Sequence, residues 1–225
     1  MSDRSRAAEW VGTGALVTLA VCAAALTLSN VRRALFPSPV MLSQPVDSVP
    51  EWQGYAVGGT RVGPKGALVT LIIFSDYQCP VCRRLFLNVQ LISRTFPDEV
   101  AVVWRHLPLE NHSSALPAAR ASVCAGKERR FEAMHSQLFL MQDSLGVVSW
   151  TNLALRAGIV DTAAFSACLQ TADTQARIDE DRAAARAVHA AATPTLLVNG
   201  LEYVGAPRDL ARIVRYARRR AVQGI

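Results

Sequence analysis

The chain has 225 residues, 51% hydrophobic and 19% charged, so it can bury a core, and general disorder is excluded. Five cysteines are too few for a small disulfide scaffold, and ordinary glycine and proline counts exclude collagen-like and low-complexity classes. The net charge of +6 permits an anionic partner, but the arginines are scattered and only 7% of residues are aromatic, which argues against a nucleic-acid partner.

Residues 1–9 form a short tail bearing Arg4, Arg6 and Glu9. Residues 10–31 then carry no charge, and 22 helical residues at about 1.5 Å each span a bilayer's hydrocarbon core. Trp10 stands at the expected interface, and Arg32 and Arg33 close the run. The pattern predicts a single-pass transmembrane signal anchor held in the lipid bilayer. A cleaved signal peptide and a buried soluble helix are the competing readings; the run is long for a signal peptide, and no clean A-x-A site precedes the linker. Cys22 lies deep in the run and reads as a small membrane-facing hydrophobe. Two arginines on each side leave the orientation undecided by charge. Pro37, Pro39, Pro45 and Pro50, with several serines, predict an extended linker over residues 32–53 without helix or sheet. The globular domain is then expected over residues 54–225.

Residues 67–74 are a continuous apolar, β-rich run, the mark of a central strand buried on both faces. The run leads into Cys79-Pro80-Val81-Cys82, and Leu85, Val89 and Ile92 follow at helical spacing. A Cys-x-x-Cys pair therefore sits where a strand becomes a helix. Cys79 falls at the helix N-terminus with Pro80 in the first turn, where free N–H groups and the helix dipole stabilise a thiolate. A stabilised thiolate is a good leaving group, which makes the disulfide oxidising. Cys82, one turn further in, is the expected buried resolving thiol, and the spacing lets the two sulfurs bond. A zinc site needs two more ligands at suitable spacing, and the sequence has none, so no metal and no cofactor are expected. Asp76 is a candidate proton relay; a turn or cap residue is the plainer reading. Arg83 and Arg84 add positive potential near Cys79 or are simply solvated.

A strand is expected over residues 100–104, then Leu107-Pro108-Leu109, with His106 and His112 within reach of the cysteines. From residue 110 to 190 the pattern is helical. Phe131, Met134, Leu138 and Met141 form one apolar face. Ser149 and Asp161 read as N-caps and Gly158 as a stop. A longer helix is expected from Thr174 to His189. Cys124 and Cys168 fall on separate helices; they are either two buried thiols or a structural disulfide, which an oxidising compartment favours. Thr193-Pro194-Thr195 then opens a strand–turn–strand pattern around Asn199-Gly200. A closing helix is expected over residues 208–220, its arginines a solvated face or a contact for anionic lipid.

Together, Phe74–Cys82, Leu107–Leu109, Thr193–Thr195 and Val198–Gly200 resemble the DsbA-like thiol-disulfide oxidoreductases of the thioredoxin superfamily. The resemblance covers roughly residues 54–221. It implies an α/β thioredoxin fold with a helical insertion at about 110–190, preceded here by the transmembrane helix. It implies a redox-active Cys79–Cys82 disulfide and a cis Thr193–Pro194 bond beside Cys79, where Thr193 pairs with an extended substrate. It further implies protein thiol and disulfide substrates, a membrane redox partner that recycles the enzyme, and a catalytic domain on the extracytoplasmic side. Val81 departs from the better-known oxidases, which often carry histidine or tyrosine there; valine can neither donate a hydrogen bond nor carry charge. An oxidase is the expected activity. A reductase or isomerase on the same fold, or a tethered thiol-peptide binding module or chaperone, are the alternatives.

Overall fold

The computed structural model describes Thr27 and residues 43–224. The chain divides into Met1–Met41 and Leu42–Ile225, and the second unit holds the fold described below. Among the described residues no helix is long and apolar enough to cross a membrane. The anchor expected over residues 10–31 lies, Thr27 apart, outside the described residues.

One mixed sheet organises the domain. Its strands are β1 (Asp47–Ser48), β2 (Thr60–Val62), β3 (Val69–Ser75), β4 (Val100–His106), β5 (Thr195–Val198) and β6 (Leu201–Val204). They lie in the order β1-β6-β5-β3-β4-β2. The central neighbours β3 and β4 are parallel, and the other pairs are antiparallel. All seven residues of β3 are buried. Alternation along the pleat sends Val69, Leu71 and Ile73 into one core layer and Ile72 and Phe74 into the other. That two-sided burial is the reason the strand reads as unbroken apolar sequence.

Helices cover the sheet. They are α1 (Gln53–Ala56), α2 (Pro80–Thr95), α3 (Ala115–Lys127), α4 (Phe131–Leu140), α5 (Trp150–Arg156), α6 (Thr162–Cys168), α7 (Ala172–Ala187) and α8 (Leu210–Gln223). In α2, Cys82, Leu85, Phe86, Val89 and Ile92 make a buried stripe at helical spacing. The five helices α3 to α7 lie between β4 and β5, where the sequence pattern turned helical. The Asn152 N–H donates to Ser149 Oγ and the Ala164 N–H to Asp161 Oδ1, so both expected caps are made. A third cap, Thr171, starts α7 two residues earlier than expected. Cys124 on α3 and Cys168 on α6 are joined by a disulfide with their Cα atoms 5.9 Å apart.

The segment expected to be a linker over residues 32–53 differs from expectation in its second half. Asp47 and Ser48 pair with Glu202 and Leu201 as β1. The Val46 N–H donates to Glu202 O and the Val49 N–H to Gly200 O. Ser43 donates through its N–H and its hydroxyl to the two carboxylate oxygens of Asp209. Trp52 packs over the Asn199-Gly200 turn, where a Cβ on Gly200 would stand 2.5 Å from the indole. Gly200 also has φ +88°, a conformation L residues rarely adopt. Proline spacing forbade a long element, but it left room for a two-residue strand docked by its flanking N–H groups.

Candidate active site

The site is built where β3 ends and α2 begins. Cys79 is the N-cap of α2, with extended backbone, and Pro80 follows at the first helical position, where no N–H is needed. Cys79 and Cys82 are both buried free thiols. Cys82 is wholly buried, while Pro80 beside Cys79 is exposed. The Thr193–Pro194 bond is cis, and the Thr193 carbonyl oxygen lies 3.4 Å from Cys79 Sγ. Residues 114 apart in sequence thus meet at one sulfur.

The two thiols are electrostatically unequal. Cys79 is lowered from 9.0 to about 5, chiefly by the hydrogen bond from the Cys82 thiol. The main-chain N–H groups of Cys82 and Val81 and the Thr193 side chain add to this, against the opposing effect of burial. Cys82 is pushed far up, first by burial and then by its bond to Cys79. The Asp76 N–H donates to Cys82 Sγ at 3.4 Å. At neutral pH the pair is therefore a thiolate at Cys79 beside a thiol at Cys82.

Asp76 is buried, and both carboxylate oxygens are engaged. Oδ1 accepts from the Gln78 N–H at 2.6 Å; Oδ2 accepts from the Leu109 N–H at 2.9 Å and lies 2.8 Å from His112 Nδ1. Asp76 thus closes a local turn and also ties the Leu107–Leu109 segment to the active-site loop. Of the two histidines placed near the cysteines by sequence, His112 reaches Asp76. His106 is buried, and burial draws it down to about 4, so it is neutral. Arg83 pairs with Asp143 at 2.8 Å, and Arg84 is exposed.

Several residues around the site escaped the sequence reading. Gln142, in a 3-10 turn after α4, donates from Nε2 to the carbonyls of Tyr77 (2.6 Å) and Cys79 (3.0 Å). The Tyr77 hydroxyl hydrogen bonds with Ser122 Oγ and His135 Nδ1, each at 2.7 Å. Burial pushes Tyr77 up and His135 down, so both are neutral. His135 is walled by Trp104, Phe131, Phe86 and Phe139. Arg105, at the end of β4, donates to buried Asp181 of α7 at 2.7 Å, and the His106 N–H donates to the same carboxylate. Among the described residues no cluster of His, Cys, Asp and Glu is set to hold a metal ion.

An attack on sulfur, held beside a cis-proline and clamped from the helical insertion, is the chemistry this arrangement can perform. Residues 56–215 match the family described as Thioredoxin. The chain is 36% identical over 156 residues to the Na(+)/H(+) antiporter NhaA 1 of Mycolicibacterium gilvum, covering 68% of this chain and 25% of the antiporter. It thus spans about a quarter of the length of the curated relatives it matches. A periplasmic thioredoxin-like protein from Salmonella enterica serovar Typhimurium has a similar structure, with a TM-score of 0.61 at 25% identity. That likeness covers 76% of this chain and 99% of that one. The alpha-DsbA1 protein of Wolbachia pipientis gives 0.64 at 16% identity, over 74% of this chain and 94% of that one, a likeness of fold.

Proposed function

The chain belongs to the thioredoxin family, and from that premise we propose that it is a DsbA-like thiol-disulfide oxidoreductase that forms disulfides in proteins outside the cytoplasm. The observation that carries the direction is the unequal pair of thiols. A thiolate stabilised at Cys79 favours the reduced enzyme, so the Cys79–Cys82 disulfide is a strong oxidant. A substrate thiolate attacks Cys79 Sγ, the Cys79–Cys82 bond breaks, and Cys82 leaves and takes a proton. The second substrate thiol, as thiolate, then attacks the substrate sulfur of the mixed disulfide. It releases the Cys79 thiolate and an oxidised product, and both substrate electrons stay on the enzyme. Burial favours the thiol form of Cys82, which slows its attack back on the mixed disulfide and return of the substrate unoxidised.

Asp76 steadies Cys82 Sγ through its N–H, and its carboxylate, which holds the partly exposed His112 imidazole, is the candidate proton relay. Thr193, beside Cys79, is the point at which an extended substrate strand is held. The likeness to a periplasmic protein supports an extracytoplasmic domain, and residues 10–31 are the anchor that keeps it at the membrane. A membrane redox partner reoxidises the dithiol. The antiporters' ion transport is not carried over, because the match spans only a quarter of their length.

The test is the reduction potential of Cys79/Cys82 in the full chain, equilibrated in glutathione buffers and read by the mass added on thiol alkylation. A value near about −120 mV is expected; one near about −270 mV turns the assignment to a reductase. Cys79→Ser should abolish oxidation of a dithiol peptide. If that variant kept full activity, a binding module or chaperone would be the better description.

A further inference from the structure

The helix α8 turns Leu210, Ile213, Val214 and Ala217 into the core. Its opposite face carries Arg215 and Arg219, one turn apart and both exposed. The helix holds five arginines and no acidic residue. Arg218 is engaged by Glu99, and Arg220 lies over the exposed Tyr216 ring, 6.0 Å from its centroid. Val222, also exposed, follows near the end. A basic face flanked by an amphipathic aromatic is the composition of a helix that lies on an anionic lipid surface.

A second observation concerns where the chain enters the domain. Ser43 is bound to Asp209, the residue immediately before α8. Eleven residues separate Ser43 from the end of the uncharged run at Val31, and fully extended they reach at most about 40 Å. A domain of this length is itself about 40 Å across. The tether is long enough to let α8 reach the headgroups, and the chain enters the domain at that helix's own start. Salt screens the attraction over about 8 Å, so the face is held only in direct contact with the bilayer.

We propose that the Arg215–Arg219 face of α8 rests on an anionic phospholipid surface and sets the orientation of the catalytic domain. This rests on the membrane anchor assigned above. The Gly205 N–H donates to Pro194 O, so the tether's entry point and the cis-proline share one end of the sheet. Seating α8 on lipid fixes how that end is presented to a redox partner embedded in the bilayer.

The test uses the full chain in nanodiscs of phosphatidylcholine alone, or of phosphatidylcholine with phosphatidylglycerol. Arginines are modified with phenylglyoxal and followed peptide by peptide by mass. Arg215 and Arg219 should react at least about fivefold more slowly in the anionic discs and recover in high salt, while exposed Arg156 of the insertion does not change. Equal rates in both discs overturn the proposal. An alkaline carbonate wash separates this from failure of the anchor. If the wash releases the chain, the released protein is floated with vesicles of the same two compositions. Flotation with the anionic vesicles only, weakened about 25-fold by Arg215→Gln with Arg219→Gln, upholds the lipid face without the anchor. Flotation with neither overturns it.

Discussion

A thiolate at Cys79 makes the reduced protein respond to pH differently from the oxidised one. Its pKa, drawn from 9.0 to about 5 mainly by the Cys82 hydrogen bond, is lower in the folded than in the unfolded chain. The extra stability of the reduced form is therefore complete above about pH 9. It is lost as pH falls, by roughly tenfold in the unfolding equilibrium per pH unit, and is gone below about 5. Thiolate absorbance should titrate with a midpoint near 5, and chemical denaturation of both redox forms across that window should show the gap closing. A midpoint at 8 or above would remove the basis for an oxidising disulfide. Gln142→Leu should lower stability by about 1–3 kcal/mol at an unchanged denaturant slope, because the buried Tyr77 and Cys79 carbonyls lose their donor. The Cys79–Cys82 pair could be singled out from sequence because its motif is short and its chemistry local, and Pro194 only through the family resemblance. Gln142 could not, since its partners lie 63 and 65 residues away and nothing in its own neighbourhood sets it apart.

Among the elements, α7 shows how a boundary error hides an interaction. The sequence placed the end of the strand that starts at Val100 at Trp104, which left Arg105 outside it. The strand runs on to His106, and Arg105 points its guanidinium at Asp181, on the inward stripe of α7 with Thr174, Ile178 and Ala185. A charge inside a strand buried throughout is itself a signal, because such a charge needs a partner. Arg105 also donates to the carbonyls of Tyr55 and Val57, so one guanidinium joins β4, the helical insertion and the turn after α1. Asp181→Ala leaves that charge buried and unpaired and should cost about 3–5 kcal/mol, measured by denaturant unfolding. By contrast, the caps at Ser149 and Asp161 were legible, since a cap is set by a residue and the N–H three places on.

At the scale of the whole molecule, the Cys124–Cys168 disulfide closes a loop spanning 44 residues of the insertion. Replacing both cysteines with alanine should cost about 4 kcal/mol through the freedom returned to the unfolded chain. The same loss should follow when reductant cleaves this bond in the wild type, read as a fall in melting temperature that the double variant does not show. The fold class was legible because β3, the Cys-x-x-Cys turn and the Thr-Pro hairpin, the last a weak signal alone, together resemble the thioredoxin superfamily. The docking of residues 43–49 was not, because its strand pairing is made by main-chain groups that every residue but proline carries, and its one side-chain anchor, Ser43 on Asp209, joins residues 166 apart.

That docked segment has a consequence for the company this protein keeps. A sheet presents two margins, and a long bare margin templates pairing with any extended chain that meets it. An enzyme that works on unfolded polypeptides meets such chains constantly. Here β1 and its flanking N–H groups cover the outer side of β6, and the opposite margin is β2, only three residues long. Neither offers a client enough ladder to aggregate upon. On the activity proposed above, clients are engaged through sulfur at Cys79 and let go once the disulfide is handed over, rather than accumulating along the sheet.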